Sequence, residues 1–446
     1  MKKFTLKQIA EACGGKYTGD EKLINTPVSS IERDSRNIKE NSLFLAIKGA
    51  RVDGHDFIEK CYESGAICAL CEKAPENASK PYILVDDTLK AVKKIAKVYR
   101  ELFDIPIVGI SGSVGKTSTK EMIASVLSQK YNVHKTQGNL NNELGVPLTL
   151  FGMDDSTEAA VIEMGISGFG EMQRISEMVQ PTVEVITIIG ECHLENLGDR
   201  DGVFKAKTEM FENLRDGGVV VLNSEDDKLN KVKEVKGKAP VFYGINSGEY
   251  RAENIKNNGV LGVDADLIFG GKRLSVTIPA IGTYMVANAL AAAAVGVQLG
   301  LTDDEIKAGV AAYKTVGSRA NLIDTGKIRI IDDCYNANPT SVKASIDTLM
   351  NFDGRKVAVL GDMKELGENE LELHFGVGEY AAKCDKVIAI GPLAKELAKG
   401  ADGMYFETKE DFINNIPDII TEGDVVLVKA SHSMAFEEIV AELKKL

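Results

Sequence analysis

The segment GISGSVGKTSTKEM, residues 109–122, sets two glycines, a lysine and a hydroxyl residue at a spacing suited to holding phosphate. An apolar run leads into Gly112, and Gly115, Lys116 and Thr117 open the helical stretch TSTKEMIASVLSQKY. Glycines let backbone amides approach phosphate oxygens, a helix start adds positive potential, and a lysine ammonium neutralises β- and γ-phosphate charge. The loop through Gly112, Ser113, Gly115, Lys116, Thr117 and Ser118 is therefore expected to bind a nucleoside triphosphate, with Thr117 offering its hydroxyl to Mg2+. Ile110 stands where the strict pattern has its first glycine, so the loop is a variant, GxxGKT.

Three more segments could carry chemistry. Glu163 ends the apolar run AAVIE, where α/β folds place ligand residues, and a carboxylate there needs a partner for which Mg2+ is the economical choice. His193, in ITIIGECHLENLG, has an analogous place; a lone histidine is structural by default, but one just past a sheet strand beside a phosphate loop favours function. In KTQGNLNNELGVPLTL, residues 135–150, Asn139, Asn141 and Asn142 are neutral donors suited to a phosphorylated sugar, or equally the polar residues of a plain Asn/Gly loop. Cys68 and Cys71 form a CxxC, but within a strand-like run they point to opposite faces and read as buried structural residues. No convincing Ser/His/Asp or Cys/His constellation is present.

The elements that must position these residues follow from hydrophobic patterning. The 446 residues suit three domains. To about residue 86, short helices and strands alternate; from Leu89 to Phe103 apolar residues recur at helical spacing, predicting a connecting helix. Apolar strands then alternate with helical stretches through IPIVGIS, AAVIEMG, VEVITIIG and GVVVLN, the mark of a mostly parallel sheet. Short strands with Gly/Asn turns between about 240 and 280 predict a β insert, and VANALAAAAVGVQLG an alanine-rich helix. KIRIID, KVAVLG, KVIAIG and DVVLVKAS predict a second doubly wound sheet. The expected fold is thus α/β in three domains: a small α/β substrate domain (1–86), a central P-loop ATPase domain with a parallel sheet and a β insert (87–317), and a Rossmann-like C-terminal domain (318–446). A net charge of −13 argues against general nucleic-acid binding. With neither an apolar span nor a signal-peptide h-region after the first lysines, the expected location is the cytoplasm.

GSVGKTSTKE resembles the ATP loop of the Mur ligases, and further matches follow in order along nearly the whole chain. The 135–150 segment resembles the family's TxGNxNNxxGxP stretch. The resemblance implies ATP and two Mg2+ ions, with Thr117, Glu163, His193 and Lys207 about the metal. Lys207, in VFKAKTEMFE, matches the lysine that carries a CO2-derived carbamate; taken alone it reads as an ordinary helix lysine, and the alignment favours it over Lys205. Asn288 matches an asparagine near the adenine, although Tyr284-Met285 replaces the usual His-Asn. Arg319 resembles the family's GR element, Ser318 replacing glycine, and an arginine at a domain joint can reach the γ-phosphate on closure. In IDDCYNANPTS, Asp333 corresponds to the ribose ligand, and Tyr335, Asn336 and Asn338-Pro339 to the loop over the nucleotide.

DDxYNANPxS and GDMKELGE point, within the family, to the member that adds D-alanyl-D-alanine to UDP-N-acetylmuramoyl-tripeptide. RDSRNIKENSLFLAIKGARVDGHDFI resembles the uridine-substrate domain, with Ser30, Asp34, Ser35 and Arg36 as substrate contacts. The implied chemistry is phosphorylation of the tripeptide carboxylate followed by attack of the dipeptide amine, in a monomer. Two stretches depart from the pattern: MGISGFGEM replaces GANHxGEI, and Lys429-Ala430-Ser431-His432 replaces KGSR, exchanging a forked cation for an imidazole. Three other readings stay open: a sister ligase adding the third residue, a folyl-polyglutamate-type enzyme, and a nucleotide-binding partner protein that lost ligation.

Overall fold

The computed structural model describes residues 1–49, 51–76 and 78–446. Its first sheet has five strands: β1 (Lys16–Thr18), β2 (Ile31–Glu32), β3 (Leu43–Leu45), β4 (Cys68–Cys71) and β5 (Tyr82–Leu84), in the order β1-β5-β4-β3-β2. Cys68 and Cys71 are fully buried on β4 and enter different core clusters, as alternation along a strand requires. Next comes a helix, Thr88–Glu101, whose start is capped by Asp87 accepting from Lys90 N at 2.9 Å. Its stripe Ala91, Val92, Ile95, Ala96 and Tyr99 is buried in a core that runs from Phe4 through to one face of the central sheet. Tyr99 packs against Phe4, Phe103 and Phe151, and its hydroxyl donates to Met153 O.

The central sheet comprises β6 (Ile107–Ser111), β7 (Val133–Lys135), β8 (Ala159–Glu163), β9 (Val183–Ile186), β10 (Val219–Asn223) and β11 (Val241–Tyr243), all parallel, in the order β11-β10-β9-β6-β8-β7. Connections proceed from β6 to one side and return to β9 on the other. The carboxyl end of β6 is therefore a topological switch point, where open α/β sheets leave a ligand crevice. The other face of the sheet packs on the helices Lys116–Leu127 and Met285–Gln298. β12 (Arg251–Asn257), β13 (Val263–Phe269) and β14 (Lys272–Ile278) form the antiparallel insert.

The last sheet has the order β15-β16-β20-β17-β18-β19, with β15 (Asn321–Asp324), β16 (Arg329–Asp332), β17 (Lys356–Gly361), β18 (Lys386–Ile390), β19 (Met404–Phe406) and β20 (Val425–Lys429). Four of these are the strands expected from the apolar runs. β15 and β19 are short edge strands, half-buried or exposed, and edge strands carry little continuous apolar signal. No described helix is long and apolar enough to cross a membrane.

Several charged residues are buried, and among the described residues Glu184, on the central strand β9, is the buried acid whose carboxyl oxygens both lack a hydrogen-bond partner. Burial pushes its carboxyl well above the ordinary value, opposed only by the charge of Lys236. The fold thus holds this group protonated after the unfolded chain has released the proton, so its contribution to stability falls as pH rises through that window. Glu184→Gln is expected to raise the melting temperature by more at pH 8 than at pH 5, because the amide is as unpartnered as the protonated acid but takes up no proton on folding. Thermal scans at the two pH values check this; equal shifts at both would show that ionisation is not the cause.

Candidate active site

The phosphate loop is shaped by what lies beneath it. Gly112 has φ 147°, and a Cβ there would fall 1.9 Å from Thr187 Oγ1, so only glycine lets the loop close onto the end of β9. Thr187 donates to Val114 O at 2.5 Å, and Ser113 N donates to Ile188 O at 2.8 Å. The Ser113 hydroxyl accepts from Gly190 N and from the Cys192 thiol, so this residue ties the loop to the 187–192 segment that carries His193. Gly115, with φ 85°, starts the helix Lys116–Leu127, and Lys116 Nζ folds back to donate to Gly112 O at 2.7 Å.

Glu163 closes the other side of the switch point. Its carboxylate accepts from Thr117 Oγ1 at 2.9 Å and from Asn141 Nδ2 at 2.8 Å. Lys120, one helical turn after Lys116, is buried with its ammonium 3.7 Å from Glu163, 3.0 Å from Glu121 and bonded to Thr136 O at 2.8 Å. Sequence reading missed Lys120, because its partners on β8 and after β7 are remote in the chain. The other asparagines diverge from Asn141: Asn142 Oδ1 accepts from Leu144 N and Gly145 N at the start of a helix, and Asn139 is exposed.

Lys207 is buried at 1% exposure, whereas Lys205 is exposed, with its ammonium 5.8 Å from the Phe169 ring centre. Burial pushes the Lys207 ammonium down to about 8; Cys192 opposes the shift and Lys116 adds to it. The protein itself therefore makes this amine easy to deprotonate, without help from a metal. His193, at φ 52°, has Nδ1 2.6 Å from Glu365 Oε2, at an angle outside hydrogen-bond geometry. Contact with His193 holds the Glu365 carboxyl below its ordinary value. Glu365 belongs to GDMKELGE, so the C-terminal unit rests on the segment carrying His193, and Thr340 Oγ1 adds a 3.1 Å bond to Glu191.

The expected nucleotide residues fall into two groups. Asn288, buried, accepts from Thr119 Oγ1 at 2.9 Å and turns its amide nitrogen to the Met285 sulfur at 3.3 Å, behind the phosphate loop. Ser118, half-buried, lies in the first turn of the loop helix. Across the crevice, Asp333 accepts from Lys429 Nζ at 2.6 Å, Ser345 Oγ at 2.5 Å and Ala320 N at 3.1 Å. Lys429 also donates to Asn336 O, making this pair the anchor of the 333–338 loop. Asn338 caps the helix Pro339–Met350 with a reciprocal box to Ser341. Arg319 lies 3.6 Å above the Tyr335 ring.

In the first unit, Asp34 and Arg36 form a forked pair that holds the Asp34 carboxyl far below its ordinary value, and Ser30 bonds Ser42 Oγ at 2.9 Å. Arg33, Asp34, Ser35 and Phe57 line a cleft of about 420 Å³ with Leu144 of the central unit. Ser30 and Arg36 are not among its lining residues.

Among the described residues no three His, Cys, Asp or Glu side chains converge to hold a metal. What does converge is one hydroxyl and one buried carboxylate, Thr117 and Glu163. That sparse oxygen set fits Mg2+, which keeps waters and takes phosphate oxygens for the rest of its shell.

Family models match in three blocks: the Mur ligase family catalytic domain at residues 27–100, the Mur ligase middle domain at 110–296, and the Mur ligase glutamate ligase domain at 318–432. The chain is 36% identical to a UDP-N-acetylmuramoyl-tripeptide–D-alanyl-D-alanine ligase of Bacillus subtilis, with 99% of each chain covered. Its structure is similar to that of MurF from Acinetobacter baumannii (TM-score 0.93, 32% identity, all of both chains). It is also similar to the MurF ligase from Thermotoga maritima in complex with ADP (TM-score 0.84, 30% identity, 93% of this chain and 97% of that one). With such identity sustained from end to end, the chain belongs to the Mur ligase family.

Proposed function

We propose that this chain, acting as a cytoplasmic monomer, joins D-alanyl-D-alanine to UDP-N-acetylmuramoyl-tripeptide at the expense of ATP, in the synthesis of peptidoglycan precursors. The observation that carries the reading is the convergence at one switch point of Lys116, Thr117 and Glu163, with the buried amine of Lys207 alongside. A site so composed has groups to hold and neutralise phosphate, which suits direct transfer of a phosphoryl group between two substrates.

Amide formation from a carboxylate needs an activated acyl group. The terminal carboxylate of the tripeptide attacks the γ-phosphorus, ADP departs, and the acyl phosphate is then attacked by the free amine of the dipeptide with release of phosphate. The cleft between Asp34, Ser35 and Leu144 orients the uridine substrate, so that its peptide end is carried toward Glu163. Lys116 neutralises charge on the transferred phosphoryl group, and Arg319 approaches it from the facing unit. Contact between the C-terminal unit and the 190–197 segment keeps water from the acyl phosphate. Mg2+, when bound at Thr117 and Glu163, supplies further neutralisation of phosphate charge. Lys207, if carbamylated, would add a second anion to those that hold the metal.

Phosphate release tests this reading. With ATP and UDP-N-acetylmuramoyl-tripeptide, rapid turnover is expected only when D-alanyl-D-alanine is also present, with one phosphate per amide formed. Release that ignores the dipeptide, or that responds to a single amino acid in its place, would overturn it.

A further inference from the structure

The residues that face the phosphate loop from the C-terminal unit contain a feature that neither the ligation chemistry nor any role given above requires. Arg319 is the one candidate phosphate ligand carried by that unit, and among the described residues its guanidinium has neither a carboxylate within ion-pair distance nor a hydrogen-bond acceptor. It is held instead by the Tyr335 ring, whose centre lies 3.6 Å from Cζ. The same ring is stacked on His432, with centres 5.3 Å apart and planes inclined by 28°. His432 is exposed, so burial does not hold it in this position.

The backbone fixes the base of this stack. Tyr335 N donates to Ser318 O at 3.1 Å, and Ala320 N donates to Asp333 Oδ1 at 3.1 Å. Arg319 is thereby pinned between Gly317 at φ 62° and Ala320 at φ 51°. For alanine that conformation is unfavourable and persists only where its surroundings impose it. The main chain of Arg319 is therefore set, and only its long side chain remains free to wander. An aromatic face restrains a guanidinium without neutralising it, leaving the charge available for an incoming anion. A carboxylate would have restrained it equally well while cancelling the charge.

We infer that His432 is a positioning residue: by stacking on Tyr335 it holds the ring under Arg319 and so presents the guanidinium to the γ-phosphate of ATP. This rests on the function proposed above only for the identity of the nucleotide. Arginine at position 432 could also stack on Tyr335, but it would set a second cation beside Arg319; imidazole stacks without that repulsion when neutral.

The test compares His432→Ala, His432→Phe, Arg319→Ala and the double variant Arg319→Ala/His432→Ala, all in the full chain. ATP and ADP affinities are measured by calorimetry with Mg2+, and the KM values for ATP and for UDP-N-acetylmuramoyl-tripeptide by phosphate release. His432→Ala is expected to weaken ATP by about three- to tenfold, the range of an aromatic–cation contact, while ADP and tripeptide change by less than about twofold. His432→Phe should recover most of the ATP affinity, and His432→Ala should add nothing once Arg319 is alanine. The inference is overturned if ATP affinity is unchanged in His432→Ala, if ATP, ADP and tripeptide weaken together, if phenylalanine does not rescue, or if the double variant shows additive losses. Should the wild-type chain ligate nothing, the proposed function fails, while the ATP-against-ADP comparison still decides the role of His432.

Discussion

Lys116→Ala is expected to lower the ligation rate by about a thousandfold or more, the scale on which phosphoryl-transfer sites lose activity when a key cation is removed. Lys116 is half-buried and its ammonium donates to Gly112 O at 2.7 Å, so its bond is to the loop that would wrap the phosphates. No carboxylate pairs with it among the described residues, and its removal strands no buried charge. Stability should therefore change little, within about 0.5 kcal/mol. Binding of UDP-N-acetylmuramoyl-tripeptide should also survive, because the cleft at Asp34, Ser35, Phe57 and Leu144 is built from other segments. Steady-state rates together with calorimetry of tripeptide binding check the division. Parallel loss of rate and of tripeptide affinity would show that the two sites are not separate.

Lys207→Ala is expected to cost a hundredfold or more in rate, on the order of losing one group that stabilises transition-state charge. The variant should partly recover in formate or acetate. Reaction with CO2 requires the free amine. At pH 7.5 an amine at about 8 is roughly one-quarter unprotonated, against about one part in a thousand for an ordinary lysine. Burial creates that difference, and it also leaves a space that a small carboxylate can enter after truncation. The sign follows: as pH falls below about 8 the amine becomes protonated, so the modified fraction should decline. Carbon-13 bicarbonate should give a carbamate signal in the wild-type protein that is absent from Lys207→Ala. Lys205→Ala should keep both signal and rate, since that side chain lies in solvent beside Phe169. If Lys205→Ala is the inactive variant, or Lys207→Ala retains full rate, the assignment of the modified lysine is wrong.

Much of this molecule is determined locally, and that part could be read without coordinates. Continuous apolar runs such as IVGIS and AAVIE become strands buried on both faces, and period-3.6 stripes such as Val92, Ile95, Ala96 and Tyr99 become packed helices, because each pattern has one economical way to leave water. GxxGKT between a strand and a helix likewise carries its own geometry, since Gly112 and Gly115 take up positive φ and the helix start follows directly. What needed the tertiary structure is everything that depends on partners distant in the chain. Lys205 and Lys207 differ by two positions on one helix, and only packing buries one and leaves the other in water. Asn139, Asn141 and Asn142 share a type, yet only Asn141 reaches Glu163, while Asn142 is taken up by the backbone amides of Leu144 and Gly145. Asp333 reads as a ligand, but Lys429, 96 residues away, claims one of its oxygens. His432 reads as the loss of a cation until its ring is found against Tyr335. Residue type and spacing decide which elements form and where a phosphate can be held; which side chains remain free to meet a substrate is decided by long-range contacts, because a hydrogen bond or a packed face already taken by the fold is no longer available to a ligand.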